Sequence, residues 1–506
     1  MRVLDSVVQT KYWIVVFAGA LFSLVCWKIM QLEFRFALAF TGGILFLSIS
    51  MIGISYIVDI LILAMVFNIP FSLFGKVLCQ QDVPFAVMPG FSLGLIEIML
   101  LMAYLVWFAQ IFVTKKEPLP RLRKVDYFII LLIFSQIMSL LGAPSKLVGI
   151  FDIIHNIKHV MLYYFIAHKV KRSHLRWIVV LLLFAILLES SLALYERATG
   201  KTGIGVNKGR ASSRVDSAIG TQKKVPGIVE QIRAEGTTFD PHVLGEYYSM
   251  ILPVPFVLMM MRQWKLRIRF ALAIILIIGI GGLLVTFSRS GWLSFGISST
   301  FALGIIVFSW KQTKAFLIAI VLFAIVSISY PQGFEYLFVR LFRAPSELLT
   351  ERFQMNKTAL GIWRQNFFFG YGTGNYLYAL EESDVPVYEN VDRSTTFFPV
   401  HNLFLYLVSE IGLFGMIGFY GPVILTMLKC WTLRKCQDPL IRGLSLAILT
   451  GLLGYLLDGL TNPLGRALVP YAQLWVYLAI CMSFSRMLEN SVTNALSHTG
   501  LEQTPL

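Results

Sequence analysis

The sequence predicts an all-α, polytopic integral membrane protein of about 14 transmembrane helices with a large hydrophilic segment on one face. Three observations predict it. The 506 residues are 57% hydrophobic and 14% charged, with a mean hydropathy of +0.72, more apolar than a soluble core requires. Apolar runs of the length a bilayer demands recur along nearly the whole chain. Positive charge gathers in alternate short connections between those runs, as cytoplasmic loops do.

A first set of spans is expected near residues 12–30, 34–52, 53–69, 92–113, 126–142, 150–168 and 176–195. A second set follows near 243–261, 268–287, 291–309, 314–330, 401–428, 440–460 and 467–486. The 34–69 hairpin is short for two crossings. The 150–168 segment carries Asp152, His155, Lys158 and His159, which equally suit a helix lying in the interface.

The basic connections are Lys115, Lys116, Arg121, Arg123 and Lys124; Lys169, Lys171, Arg172 and Arg176; Arg262, Lys265, Arg267 and Arg269; Lys311 and Lys314; and Arg434, Lys435 and Arg442. By the positive-inside rule these face the cytoplasm, both termini lie inside, and two long hydrophilic segments face outward. The chain then divides into an N-terminal transmembrane region (1–195), a basic outer loop (196–242) and a transmembrane region with Arg289 at its outer turn (243–330). A large outer loop (331–400), a C-terminal transmembrane region (401–486) and a cytoplasmic tail (487–506) complete it.

Most of the net charge of +15 is thus orientation signal and asks for no nucleic acid. The first outer loop is the exception. It carries Arg197, Lys201, Lys208, Arg210, Arg214, Lys223, Lys224 and Arg233 on the side where positive charge is scarce. Either it is a solvated loop, or it attracts an anion. The first apolar run ends in Lys28 and Gln31 and offers no small-residue cleavage site, so it is expected to remain as a span. Cys26, Cys79, Cys430, Cys436 and Cys481 lie mostly in spans or basic loops, and Cys430 with Cys436 lacks the partners a zinc site needs.

Three stretches at outer boundaries combine arginine or histidine with small residues. In residues 233–248, RAEGTTFDPHVLGEYY, Arg233 precedes a Gly-Thr-Thr turn, and Asp240-Pro241 opens a helix whose unpaired amides favour an anion. In residues 286–292, TFSRSGW, Arg289 sits at the tip of a tight turn. It either snorkels to the interface or forks two phosphate oxygens, a geometry lysine cannot reproduce. In residues 397–415, FFPVHNLFLYLVSEIGLFG, His401 and Asn402 open a span. That histidine is either a cap or a base whose ordinary pKa of about 6.5 suits removal of a hydroxyl proton near neutrality.

Residues 351–366, ERFQMNKTALGIWRQN, read as an amphipathic helix with Arg352 and Arg364, followed by a glycine-rich turn, GYGTGNY, at 370–376. That turn lacks the Gly-Lys-Ser/Thr of a nucleotide-binding loop.

In this order, over roughly 233–428, the stretches resemble the bacterial O-antigen ligase and O-antigen polymerase superfamily of membrane glycosyltransferases. The resemblance rests on Arg233 before Thr-Phe-Asp-Pro, the Ser-Arg-Ser-Gly turn, the Arg/Trp helix running into Gly-x-Gly, and His-Asn opening a span with Glu410 and Gly412.

The resemblance implies a helical fold of the class-C glycosyltransferase type in the bacterial inner membrane, with its active site on the periplasmic face. An undecaprenyl-pyrophosphate-linked glycan would be the donor, and a glycan or lipid A core the acceptor. It implies no cofactor and no metal. Arg233 and Arg289 would hold the pyrophosphate and His401 would activate the acceptor hydroxyl, with Arg352, Arg364 and Arg466 as secondary substrate contacts. Fixed guanidinium groups can stabilise a departing pyrophosphate without a divalent ion. Metal-dependent relatives place an acidic pair in the first outer loop, where this chain offers only Glu33.

Ligation and repeat-unit polymerisation share that donor chemistry and differ in acceptor. A glycolipid flippase or secondary transporter is the reading from another class. It draws on Asp59, Glu97, Glu189, Glu410 and Asp458, acids that are costly in lipid, but lacks an evident repeat of broken helices.

Overall fold

The computed structural model describes residues 54–71, 74–79, 90–113, 120, 122–200, 233–238, 240–310, 346–382 and 399–498. The spans expected at 12–30, 34–52 and 314–330, and the basic stretch around 201–224, lie outside the described residues.

The chain runs through α1 (Ile54–Asn68), β1 (Phe74–Cys79), β2 (Gly90–Gly94), α2 (Leu95–Phe108, extended by a π turn Ala109–Val113), α3 (Lys124–Ser139), α4 (Lys146–Lys169) and α5 (Arg172–Thr199). It continues with α6 (Pro241–Ile251), α7 (Pro253–Met260), α8 (Leu266–Val285), α9 (Arg289–Trp310), α10 (Ser346–Gln365) and α11 (Tyr376–Glu382). The last elements are α12 (Leu403–Leu433), α13 (Pro439–Gly459), a 3₁₀ turn (Leu464–Arg466) and α14 (Leu468–His498).

Among the described residues, 7 helices are long and apolar enough to cross a membrane: Leu95–Phe112, Arg172–Thr199, Pro241–Met260, Leu266–Val285, Leu403–Leu433, Pro439–Gly459 and Leu468–Leu488. The span expected at 53–69 appears as a 15-residue helix, about 22 Å long at 1.5 Å per residue. The fold is helical as expected, with one short antiparallel pairing of β1 and β2 added to it. Phe-Gly-Lys-Val-Leu-Cys is a short apolar run with a β-branched residue, too short to announce itself as a strand.

The polar segment near 150–168 does not lie on the surface. α4 packs along α14 and buries Asp152, His155, Asn156 and His159 against it. The Tyr471 hydroxyl donates to Asn156 Oδ1, and its ring lies 4.5 Å from that of His159. α3 packs on α12, α5 on α8 and α1, and α13 on α9, α12, α7 and α6. α6 and α7 form one kinked span, because Pro253 and Pro255 lack the amides that would continue the ladder.

The two ends of the bundle differ in chemistry. At one end lie the starts of α5 and α13, joined by Arg172 to Asp438 at 2.7 Å, together with Arg262, Lys265, Arg267, Arg269, Arg434, Lys435 and Arg442. At the other end α5, α8 and α13 finish and α6, α9, α12 and α14 begin. Arg233, Arg289, His401 and Arg466 all belong to this second end.

Candidate active site

The site is built on the connection between α8 and α9. Thr286 caps α8 and donates its hydroxyl to Leu283 O at 2.7 Å, while Phe287 takes a positive φ of 52° so that the chain can reverse within three residues. α9 then starts at Arg289. Gly291 lies so close to α6 that an added Cβ would meet the Gly245 carbonyl oxygen at 2.8 Å, and one on Gly245 would meet the Ser288 side chain at 2.6 Å. Small residues on both helices therefore press the turn onto α6.

Arg233 reaches this turn from the other side. Its Nε donates to Thr286 O at 3.0 Å, Nη2 to Phe287 O at 3.5 Å, and Nη1 to His242 Nε2 at 3.2 Å. Ala234 N donates to Val285 O at 3.0 Å. Arg233 thus braces the turn that presents Arg289, a role beyond the phosphate contact expected of it. Arg197, at the end of α5, lies over the Phe287 ring at 5.4 Å, within cation–π range. Its place in a basic stretch gave no sign of that partner.

The Gly-Thr-Thr turn is held by two carboxylates from α5. Glu196 Oε2 accepts from the amides of Glu235 and Gly236, each at 2.9 Å, and Glu189 accepts from the Thr237 amide at 3.2 Å and from its hydroxyl. Asp240 caps α6, accepting from His242 N at 2.7 Å and Val243 N at 3.1 Å, the helix start that Asp-Pro predicts. Burial raises the pKa of the Asp240 carboxyl. The two amides and the Arg233 charge pull against that rise.

His401 lies just before α12. Asn402 is the cap, accepting from Leu405 N at 3.1 Å, which removes capping as the reason for His401. The histidine Nδ1 faces the Pro399 carbonyl at 3.2 Å. A carbonyl only accepts, so Nδ1 carries the proton in this pairing and Nε2 is the basic nitrogen.

The α12 start and the Arg289 turn meet through α13. Leu403 packs where a Cβ on Gly459 or Gly465 would come within 3.3 Å or 2.5 Å of its side chain. Beside Gly459, Asp458 accepts from Asn462 Nδ2 at 2.8 Å and interacts with the Ser290 hydroxyl. The elements bearing Arg233, Arg289 and His401 are therefore contiguous at one end of the bundle.

Arg466 has a different place. It is 3% exposed, with Nη2 at 2.5 Å from Asp152 Oδ1 and Nη1 at 3.3 Å from Glu410 Oε2. Burial disfavours its charge, but these carboxylates more than offset that and raise its pKa. Through these two pairs the guanidinium ties α4, α12 and the 3₁₀ turn together. Arg352 is half-buried on α10, where burial lowers its pKa, and Arg364 is exposed on the same helix.

The amphipathic helix expected at 351–366 is α10, and the glycine-rich turn after it docks into a break in α12. At Gly412 the backbone leaves the helix, with φ 65° and ψ −168°, a region essentially confined to glycine. The freed groups find partners in the incoming strip. Tyr371 N donates to Ser409 O at 2.8 Å, Gly372 N to Glu410 O at 3.0 Å, Leu413 N to Phe367 O at 3.0 Å, and Phe414 N to Phe368 O at 3.2 Å. Gly370, at φ 74°, has no room for a Cβ, which would sit 2.4 Å from Glu410 O. Beneath the strip Gln136 donates to Thr373 Oγ1 at 3.1 Å, and the Thr373 hydroxyl donates to Asp152.

The acids that motivated a transport reading all have protein partners. Asp59 meets Lys171 at 3.3 Å and His174 at 3.0 Å, and Glu97 meets Lys158 at 2.9 Å. Glu189 meets Thr237, Glu410 meets Arg466, and Asp458 meets Asn462. Among the described residues, no group of three or more His, Cys, Asp or Glu side chains is placed to hold a metal ion.

Residues 273–420 match the family model described as O-antigen ligase. The match supports the O-antigen ligase superfamily named by the sequence resemblance. It contains Arg289, Arg352, Arg364, His401, Glu410 and Gly412, and leaves Arg233 and Arg466 outside. No curated protein matches the chain.

Proposed function

We propose, taking as premise that this membrane protein carries an O-antigen ligase domain, that it is a glycosyltransferase working on the outer face of the bacterial inner membrane. It moves a glycan from an undecaprenyl-pyrophosphate donor to an acceptor hydroxyl in surface polysaccharide or lipopolysaccharide synthesis. The observation that carries this reading is the bracing of the Arg289 turn by Arg233 next to the α12 start. It holds the backbone turn from which Arg289 starts α9, and anions are favoured at a helix N-terminus.

In the proposed reaction the acceptor hydroxyl gives its proton to His401 Nε2 and its oxygen bonds to the anomeric carbon. The bond from that carbon to the pyrophosphate oxygen breaks. The leaving group departs with its electron pair and the additional negative charge, which Arg289 meets, with Arg233 holding the turn. Arginines fixed before the reaction lose little in reorganisation, so their contribution is made in the transition state. Arg352 and Arg364 on α10 are proposed to contact the glycan, and no residue in this scheme calls for a metal.

Purified protein, a lipid-pyrophosphate-linked oligosaccharide and candidate acceptors in chelator test the reading, with product mass as readout. Transfer by the wild type that Arg289→Ala and His401→Ala each abolish supports it. Movement of glycolipid by proteoliposomes with no transfer from competent donors refutes it. Polymerisation of repeat units is the second reading within the same superfamily, and acceptor identity in this assay separates the two.

A further inference from the structure

The strip that carries Arg233 is folded by amides turned toward acids. Glu235 N and Gly236 N both donate to Glu196 Oε2 at 2.9 Å, and Thr237 N donates to Glu189 Oε2 at 3.2 Å. Successive amides turned this way make a concavity of the kind in which a backbone holds an anion. Here α5 fills it with its own carboxylates. Gly236 makes the approach possible, because its φ is 56° and a Cβ there would lie 2.5 Å from Glu189 Oε2.

The acids stand on a rigid support. Glu189 and Glu196 share one face of α5, and both are buried. α5 lies close against α8, where a Cβ on Gly279 would come within 3.1 Å of Ile186 and one on Gly282 within 3.0 Å of Ser190 Cα. Small residues that let two helix backbones approach hold them together in a membrane. The Ser190 hydroxyl donates to the Tyr248 hydroxyl of α6 at 3.1 Å, so α6 joins the same frame. α8 ends in the turn that Arg233 braces. Arg197, the residue after Glu196, lies over Phe287 in that turn. Two consecutive residues of α5 therefore hold the two sides of the brace.

We infer that Glu196 is a positioning residue for the pyrophosphate site: by holding the amides of residues 235 and 236 it aims Arg233 at the Thr286 and Phe287 carbonyls, and thereby places Arg289. The inference rests on the proposed function. An arginine on a loose strip gives up chain freedom each time it braces the turn, and an arginine on a held strip has lost it beforehand. The gain appears where charge develops on the leaving group, in kcat more than in KM. Glu196 serves the two residues nearer Arg233, and Glu189 serves the next one along, so the test is made at Glu196.

Hydrogen exchange of the full chain in nanodiscs tests the linkage without turnover. Mass spectrometry follows peptides covering 233–238 and 286–292, the second with bonded amides at Thr286, Phe287, Ser288 and Trp292. Glu196→Ala should speed exchange about ten-fold in both peptides. Arg233→Ala should speed it at 286–292 and leave the amides of 235 and 236 slow. Glu97→Gln, which removes a carboxylate paired with Lys158 on other helices, should change neither. Faster exchange in Glu196→Ala confined to 233–238, or absent from both peptides, overturns the inference. Should that variant fail to fold, Glu196→Asp takes its place.

Transfer kinetics, counted per folded molecule, separate the hydrogen bonds from the charge. Glu196→Gln keeps an acceptor oxygen at the same reach and should stay within about three-fold of wild type in kcat. Glu196→Asp keeps the charge one methylene short and should lose about 30-fold in kcat, with donor KM within about three-fold. The opposite order, Asp active and Gln impaired, overturns the inference. Linked exchange in a wild-type chain that transfers nothing leaves the brace standing and removes the transferase reading. Transfer by the wild type that Glu196→Asp and Glu196→Ala both preserve removes the inference and keeps that reading.

Discussion

Replacing Arg466 with methionine separates a structural arginine from one that binds substrate. The guanidinium is 3% exposed and lies between Asp152 and Glu410. Methionine of similar reach leaves both carboxylates buried and unpaired, and breaking such a buried pair costs about 3–5 kcal/mol. At about 2.1 cal/mol/K per residue, the unfolding entropy of 506 residues is about 1 kcal/mol/K, so Tm should fall by at least about 3–5 °C. The drop is larger if the helices keep their structure when the bundle opens. Thermal unfolding in detergent micelles measures it.

The triple variant Arg466→Met, Asp152→Asn and Glu410→Gln removes all three charges and should recover most of the loss, because the cost lies in the stranded carboxylates. If Arg466→Met melts within about 0.5 kcal/mol of wild type while KM for the donor rises, the argument from burial fails and Arg466 is a substrate contact.

Arg289→Lys keeps the charge but loses the planar fork. Transfer should fall about 10- to 100-fold, the value of a lost charge-assisted hydrogen bond of about 1.5–3 kcal/mol, and an unchanged kcat/KM would place the pyrophosphate elsewhere. Asp240→Ala removes the α6 cap and should cost about 1 kcal/mol in thermal unfolding. Asp240→Asn keeps both cap bonds and should stay near wild type. Gly412→Ala demands φ 65° of an alanine and brings its Cβ to 2.4 Å from the Phe368 carbonyl. Backbone strain of about 1–3 kcal/mol and disturbance of the paired strip should sharply lower the yield of folded protein, and a normal yield with a normal melt would refute the break as a fixed feature.

The sequence-expected apolar runs near 176–195, 243–261, 268–287, 401–428, 440–460 and 467–486 coincide with long helices. Bilayer thickness writes itself into sequence as a run length, and such a signal is local. Asp240-Pro241 and Asn402 announce helix starts for the same reason, since a cap and its amides lie within three residues. What escaped is non-local. The polar face of α4 reads as interfacial because Arg466 and Tyr471, which absorb it, are some 300 residues away. The pairing of Arg466 is hidden for the same reason, since its carboxylates sit on α4 and α12.

The break at Gly412 also escaped, since a glycine in an apolar helix usually marks close packing. Only the partner strip at 367–372 shows that it marks an interruption. The acids at 59, 97, 189, 410 and 458 are functional candidates when seen alone, and each becomes a paired group once its neighbour is known.

The interruption in α12 bears on how the chain is made. A continuous helix satisfies its own backbone and can enter lipid alone, but α12 has two carbonyls and two amides near Gly412 whose partners lie in residues 367–372. Left in hydrocarbon without that strip, each costs several kcal/mol. The strip precedes α12 in the chain and so leaves the ribosome first. α12 therefore enters the membrane as the second half of a two-piece unit, and its maturation is tied to the connecting segment rather than to its own hydrophobicity.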